Sequence, residues 1–240
     1  MAEHTKLITI DPNGDTLLKL KDIRWELPEW IDEATRFAPT VDIFGFALDD
    51  TASECANESD QRENPEEVHF LVSSRQLRLV STYFDMMFEK NFAESVADFA
   101  DGRYHIWATE WNPKALERLM NIAHARSVGV AEYTLDELVE MALIIDYYDV
   151  HEAPYDHVKD HISGTSTGYC APAPKTAFGS KVIKWMFLSY VFQQDHVLET
   201  ATELAKKHSK GPVQDLGLPL GDIPGEMAYY PFIHNLANVY

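Results

Sequence analysis

Cysteine is scarce in this sequence: Cys55 and Cys170 are the two among 240 residues, far apart and in no C-x-x-C spacing. That excludes a disulfide framework and the paired thiolates of a zinc site, and it fits a reducing compartment. Long apolar runs are missing too. The most apolar segment, Val182 to Phe192, is interrupted by Lys184 and falls short of the about 20 residues that cross a bilayer. The opening MAEHTKLITIDPNGD has no basic stretch followed by an apolar core, so no secretory signal is expected and the Asn57-Glu58-Ser59 sequon reads as chance. Positive charge is in short supply: 20 Lys and Arg stand against 39 Asp and Glu, a formal net charge of -19. Such a surface repels phosphate backbones and anionic lipid, because nucleic-acid affinity rests on Lys and Arg displacing condensed counterions. Neither nucleic acid nor membrane is expected as a partner, and the expected location is cytoplasmic or nuclear. Neither a P-loop nor a G-x-G-x-x-G occurs, so the backbone cradle for a phosphate or dinucleotide is missing and no cofactor is expected.

What is present is enough apolar surface, 45% of residues, for one good domain with an extension or two small domains. Lys6 to Leu20 sets two β-type runs around Asp11-Pro12-Asn13-Gly14-Asp15, and the Asn-Gly pair predicts a hairpin or a bent edge. Asp49 to Glu67 is acidic and nearly free of large apolar groups, which predicts an inserted mobile loop that the core does not need. Val68 to Val72 reads as a strand. From Gln76 the period becomes 3.6, with Leu77, Val80, Phe84, Met87 and Phe88 on one helical face. Asp101 to Glu110 alternates as a second strand. Asn112-Pro113 is a helix start ahead of the stripe Leu116, Leu119, Met120 and Ala123, and Thr134 with Glu137 forms a capping box ahead of Leu138, Val139, Ala142 and Ile145. Gly164 to Pro174 reads as a linker, and Ser180 to His208 as one long or two consecutive helices.

Several clusters invite chemical readings. Ser73 and Ser74 end a strand, as a hydrolase nucleophile does, but Val72 and Arg75 flank them where a nucleophile elbow needs glycine. Helix capping, in which a serine oxygen accepts an orphan N–H, explains both serines, so no catalytic residue is expected. His157 and His161, with Asp156 and Asp160 beside them, have the i, i+4 spacing of a metal pair. A solvated acidic helix produces the same letters and no third ligand has a defined spacing, so no metal is expected. The tail's DLGLPL resembles a repressor-recruiting L-x-L-x-L peptide, against the plainer reading that it docks onto its own domain. Trp185, Phe187, Tyr190 and Phe192 read as core rather than as a cofactor box.

With that map in place, FLVSSRQLRLVSTYFDMMFEKNFAES resembles the signature of BTB/POZ domains, with Phe70, Leu77, Ser81, Tyr83, Phe84 and Met87 at the family's offsets. WNPKALERLMNIAHAR is similar to the family's next helix, and LDELVEMALIIDYYDVHEA to the helix that ends in its Ala–Asp–Tyr segment. The likeness runs from about Leu7 to Ile162, and the opening IDPNGD, acidic insertion and aromatic extension are similar to the fungal type. The resemblance implies an α+β fold, a small sheet capped by a helical cluster and followed by a C-terminal helical extension. Its implied organisation is a domain over 5–162 with the acidic loop at about 49–67, a linker over 163–175, and the extension with an irregular tail over 176–240. It also implies a non-catalytic protein-interaction module, a homodimer or a substrate adaptor on a cullin-type ubiquitin ligase scaffold. The alternatives are a transcription-related scaffold and, from another class, a hydrolase or metal enzyme. In adaptors of this family a hydrophobic-x-Glu tripeptide after the signature helix contacts the cullin, and Phe92-Ala93-Glu94 matches it, so Phe92 and Glu94 are the candidate partner-binding residues. Two positions depart from the family pattern. Its His followed by a basic residue, which helps form a charged pocket at the dimer seam, is Ser73-Ser74 here with Arg75 one place later. Its first-strand Asp falls on Asp15 or Asp42, with Asp15 favoured.

Overall fold

The computed structural model describes residues 5–24, 26–29, 66–90, 92–126, 133–150, 152–162, 179–208 and 214–220, without the side chains of 159–162. The acidic insertion up to residue 65, Asp42, the linker over 163–175 and both cysteines lie outside the described residues. The fold is α+β. Four strands, β1 (Thr5–Thr9), β2 (Thr16–Lys21), β3 (Glu67–Val72) and β4 (Tyr104–Thr109), form one sheet in the order β1-β3-β2-β4. Among the described residues seven helices accompany it: α1 (Ser74–Val80), α2 (Thr82–Glu89), α3 (Pro113–Ala123), α4 (Leu135–Tyr148), α5 (Glu152–Ile162), α6 (Ser180–Val191) and α7 (Asp195–His208). No described helix is long and apolar enough to cross a membrane.

The sheet follows from alternation. Leu18 and Leu20 of β2, Val68, Phe70 and Val72 of β3, and Ile106 and Ala108 of β4 all face the core. Lys19, His69 and Trp107, at mutually paired positions, take the opposite face. The expected pairing of the two N-terminal runs does not form: β3 lies between them, parallel to β1 and antiparallel to β2. The reason is local. The Asp11 carbonyl accepts the Gly14 N–H at 2.9 Å and the Asp11 Oδ1 accepts the Asn13 N–H at 2.9 Å. With Pro12 second and Gly14 fourth, this is the residue pattern of a type I turn, and neither Asn13 nor Gly14 has the positive φ of a hairpin turn. Glycine at 14 is required for space: a Cβ there would lie 2.5 Å from the Val72 carbonyl oxygen.

The helical stripes pack as expected. Leu77, Phe84, Leu116, Leu119 and Leu138 are fully buried and Met87 nearly so. Asn112 caps α3 ahead of Pro113, and Thr134 and Glu137 close a full capping box on α4. The 3.6-residue pattern that starts in α1 is cut at Ser81, where extended backbone separates α1 from α2. Helix α4 ends at Tyr148, with Asp149 in the left-handed region, so the following residues start α5 afresh. The C-terminal stretch is two helices, divided at Phe192 to Gln194 with Gln193 at positive φ. Helix α6 buries Val182, Ile183, Trp185, Met186, Phe187 and Leu188 in the same core cluster as the sheet, with Phe192 beside them. Leu216, Leu218 and Leu220 of the tail are buried as well, so DLGLPL docks onto its own domain.

Both serines have partners within the fold, though not by the expected device. Ser73, at the N-cap of α1, makes no side-chain cap bond. The free N–H groups of this helix start are met from distant segments instead. Asp15 accepts both the Ser74 N–H at 2.7 Å and the Ser74 hydroxyl at 2.6 Å. The imidazole of His124 accepts the Ser73 N–H at Nε2, 2.9 Å, while Nδ1 lies 2.8 Å from the Met120 carbonyl. Those partners fix the neutral tautomer with the proton on Nδ1. Burial lowers the His124 pKa below its usual value; the Arg126 charge adds to this, while the Met120 carbonyl and Asp11 act the other way. A proton on Nε2 would face the Ser73 N–H, donor against donor. The folded state therefore binds this proton less readily than the unfolded chain, and the stability that neutral His124 provides is lost as pH falls from about 6.5 through the lowered value. Chemical denaturation of wild type and His124→Gln at pH 7.5 and 5.0 should show the larger loss on acidification in wild type. Equal losses would show that His124 does not titrate with folding.

Candidate functional site

Helix α2 is amphipathic at the expected spacing: Phe84 and Met87 point inward, Tyr83 and Met86 outward. Its start is anchored by the buried Ser81, whose hydroxyl accepts the Phe84 N–H at 3.1 Å and donates to the Tyr148 carbonyl at the end of α4, 2.5 Å away. Thr82 adds a hydroxyl bond to Asp149. Behind Tyr83 the rings form a continuous layer. Phe84 stacks on Tyr148 at 4.8 Å between centroids, Tyr83 meets Tyr148 edge-on at 5.3 Å, and Tyr147 meets Trp111 edge-on at 5.2 Å. Burial, then the neighbouring Tyr147, then the Glu94 charge raise the Tyr83 pKa, so its phenol stays protonated and remains a donor.

After α2 the chain forms a 3-10 turn, Ala93–Ser95. The Phe92 carbonyl accepts both the Ser95 N–H at 3.0 Å and the Ser95 hydroxyl at 2.7 Å. These two hydrogen bonds to one oxygen fix the backbone from which Phe92 projects. The side chain does not fold back: Phe92 is 51% exposed. Glu94 is half-buried on the same turn.

These elements enclose a groove of about 320 Å³, lined by Tyr83, Met86, Met87 and Lys90 from α2 and its end, Phe92 and Glu94 from the turn, and Ile106 and Trp107 from β4. The two residues marked by the hydrophobic-x-Glu tripeptide therefore line one site. Trp107, 51% exposed, forms its strand wall, and the ammonium groups of Lys19 and Lys21 stand 5.1 and 5.4 Å from its ring centroid. The tripeptide motif does not mark Trp107, Lys19 or Lys21. Alternation in β4 does carry the signal, since Ile106 and Ala108 on the core face put Trp107 on the open one.

The arrangement offers apolar anchorage with a few polar groups, and no nucleophile aligned with a base. Among the described residues no cluster of three or more His, Cys, Asp or Glu is placed to hold a metal. His157 lies on α5, while the side chains of Asp160 and His161 are outside the described set. A larger cleft, about 580 Å³, lies where the starts of α3, α4 and α6 meet residues 26–29. Its charges are largely met from within: Arg118 pairs with Glu137 at 3.3 Å, Lys184 with Asp136 at 2.5 Å, and Glu140 with Arg24 at 3.1 Å. Burial nevertheless raises the Glu140 pKa, and the Arg24 charge opposes the rise.

No family model matches the chain, and no curated protein matches it.

The groove separates support from contact, and stability should follow that division. Phe84→Ala should cost about 3–5 kcal/mol, the range for truncating a buried aromatic. Phe92→Ala should cost under about 0.5 kcal/mol, as for an exposed position. Urea titration of both variants checks this. A Phe92→Ala loss as large as that of Phe84→Ala would make Phe92 core rather than surface.

Proposed function

We propose that the chain is a non-catalytic protein-interaction module of BTB/POZ type that uses the groove at Phe92 and Glu94 to engage a cullin-type scaffold. The observation that carries this reading is the half-exposed Phe92 on a hydrogen-bonded turn, at the rim of a groove that also holds Glu94 and Trp107. An exposed aromatic on a fixed backbone loses little conformational freedom on binding and fills a partner's pocket, which is how a small number of residues comes to dominate an interface. A carboxylate beside it accepts charge-assisted hydrogen bonds that fix orientation. The open apolar set extends past the groove: Tyr147 is 55% exposed beside Tyr83, and Val96 and Phe99 project from the chain that follows the turn. Exposed apolar side chains gathered in this number on neighbouring segments mark a docking face more often than a free surface. The order of elements supports the reading too, since β3, α1, α2 and β4 occur in the succession that the signature stretch leads one to expect.

Self-association through the same face is the second reading, favoured by the density of exposed aromatics. A titration separates the two. Wild type, Phe92→Ala and Glu94→Ala are titrated against a purified cullin N-terminal domain, with melting curves to show that each variant is folded. The adaptor reading expects saturable binding by wild type and a loss of at least about tenfold for Phe92→Ala, the scale of a central anchor. Absence of wild-type binding at high micromolar concentration ends the cullin assignment. Binding that survives both substitutions places the contact elsewhere.

A further inference from the structure

Lys19 and Lys21 present an electrostatic mismatch. They lie two residues apart on β2, on the sheet face that also carries Trp107, with Lys19 directly opposite Trp107 and Lys21 opposite Thr109. Both ammonium groups lie within 5.4 Å of one indole centroid. Among the described residues neither meets a carboxylate. Lys19 donates to His105 Nδ1 at 3.3 Å, and it is that imidazole, not the lysine, that donates from Nε2 to Asp101 at 3.0 Å, with the Asp98 carboxylate 3.5 Å from Nδ1. Lys90, which lines the groove, has no ion pair among the described residues either. In a chain with 39 acidic and 20 basic residues a lysine has ready access to a carboxylate. Here two converge on an exposed aromatic face that offsets only part of their mutual repulsion. The opposite charge in the groove acts elsewhere: Glu94 bears on Tyr83, on the helix wall.

We propose that the groove takes an acidic partner segment, with an apolar side chain seated between Phe92 and Trp107 and carboxylates bridging Lys19 and Lys21. The inference rests on the groove's being a partner site and adds the chemistry of the partner. Bridging carboxylates relieve the repulsion between the two ammonium groups and turn their position over Trp107 into a specificity element. Glu94 on the other wall disfavours the same segment in the reverse direction, so the groove also reads polarity.

The test uses two short fluorescein-labelled peptides with the same Leu-Phe anchor, one flanked by glutamates and the other by lysines, measured by anisotropy against the full chain. The glutamate peptide should bind at least about tenfold more tightly at low salt, and the difference should shrink near 1 M salt, where the Debye length is about 3 Å. The double variant Lys19→Gln/Lys21→Gln should bring the glutamate peptide down to the affinity of the lysine peptide, while Phe92→Ala weakens both. Each variant is checked by melting. Equal affinities, a preference for the lysine peptide, or an unchanged glutamate affinity in the lysine variant overturns the acidic partner. If Phe92→Ala still weakens binding in that case, the groove survives as a partner site. If neither peptide saturates, both the acidic partner and the groove fall together.

Discussion

One buried hydroxyl sets the geometry on which the proposed binding face depends. Ser81 interrupts what would otherwise be a single helix from Ser74 to Glu89, accepts the free Phe84 N–H in the first turn of α2 and gives its own proton to the Tyr148 carbonyl at the end of α4. The segment after the break is thereby redirected so that Phe84 stacks on Tyr148 while Tyr83 and Met86 face outward. An uninterrupted helix would carry the same residues, but without the turn at Ser81 that brings Thr82 to Asp149 and Phe84 onto Tyr148, the contacts that support the helix wall of the groove. A buried donor and acceptor satisfied at one side chain is stabilising chiefly because leaving either unmet is costly.

Most of the architecture was legible from local signals because the physics there is local. The Asn112-Pro113 start, the Thr134 to Glu137 capping box and the apolar stripes of α3 and α4 appear where their residues require. Three features were not legible, and each depends on contacts distant in sequence. Insertion of β3 between β1 and β2 cannot be read from the Asp11 to Asp15 turn, whose letters suit a hairpin as well as the type I turn that forms. The capping of α1 by Asp15 and His124, 59 and 51 residues away in the chain, replaces the serine caps that the local pattern suggests. The cut at Ser81 is set by Tyr148, 67 residues later. At the proposed binding face Phe92 and Glu94 were marked by a tripeptide, whereas Trp107 joins them, and Lys19 comes beside it, only through strand register.

The charge distribution gives the face its character. The chain as a whole is strongly acidic, a balance that favours solubility and disfavours phosphate backbones. Against that background the groove combines half-exposed Phe92 and Trp107 with a carboxylate near Tyr83, and beside it Lys19 and Lys21 stand over the Trp107 ring without a carboxylate partner among the described residues. The larger cleft at the helix starts has more charges but pairs most of them internally, and so has less left to offer a ligand. Apolar area for affinity and local charge for orientation are the two requirements of a specific protein contact, and here they coincide.

The claim at the centre of this account is that the face built from α2, the 3-10 turn and β4 is where a partner binds. Hydrogen–deuterium exchange of the full chain, alone and with a cullin N-terminal domain, addresses it directly. The account predicts slowed exchange over residues 82–96 and 104–109, with the remaining described segments unchanged. Complex formation with protection confined to other segments would contradict it.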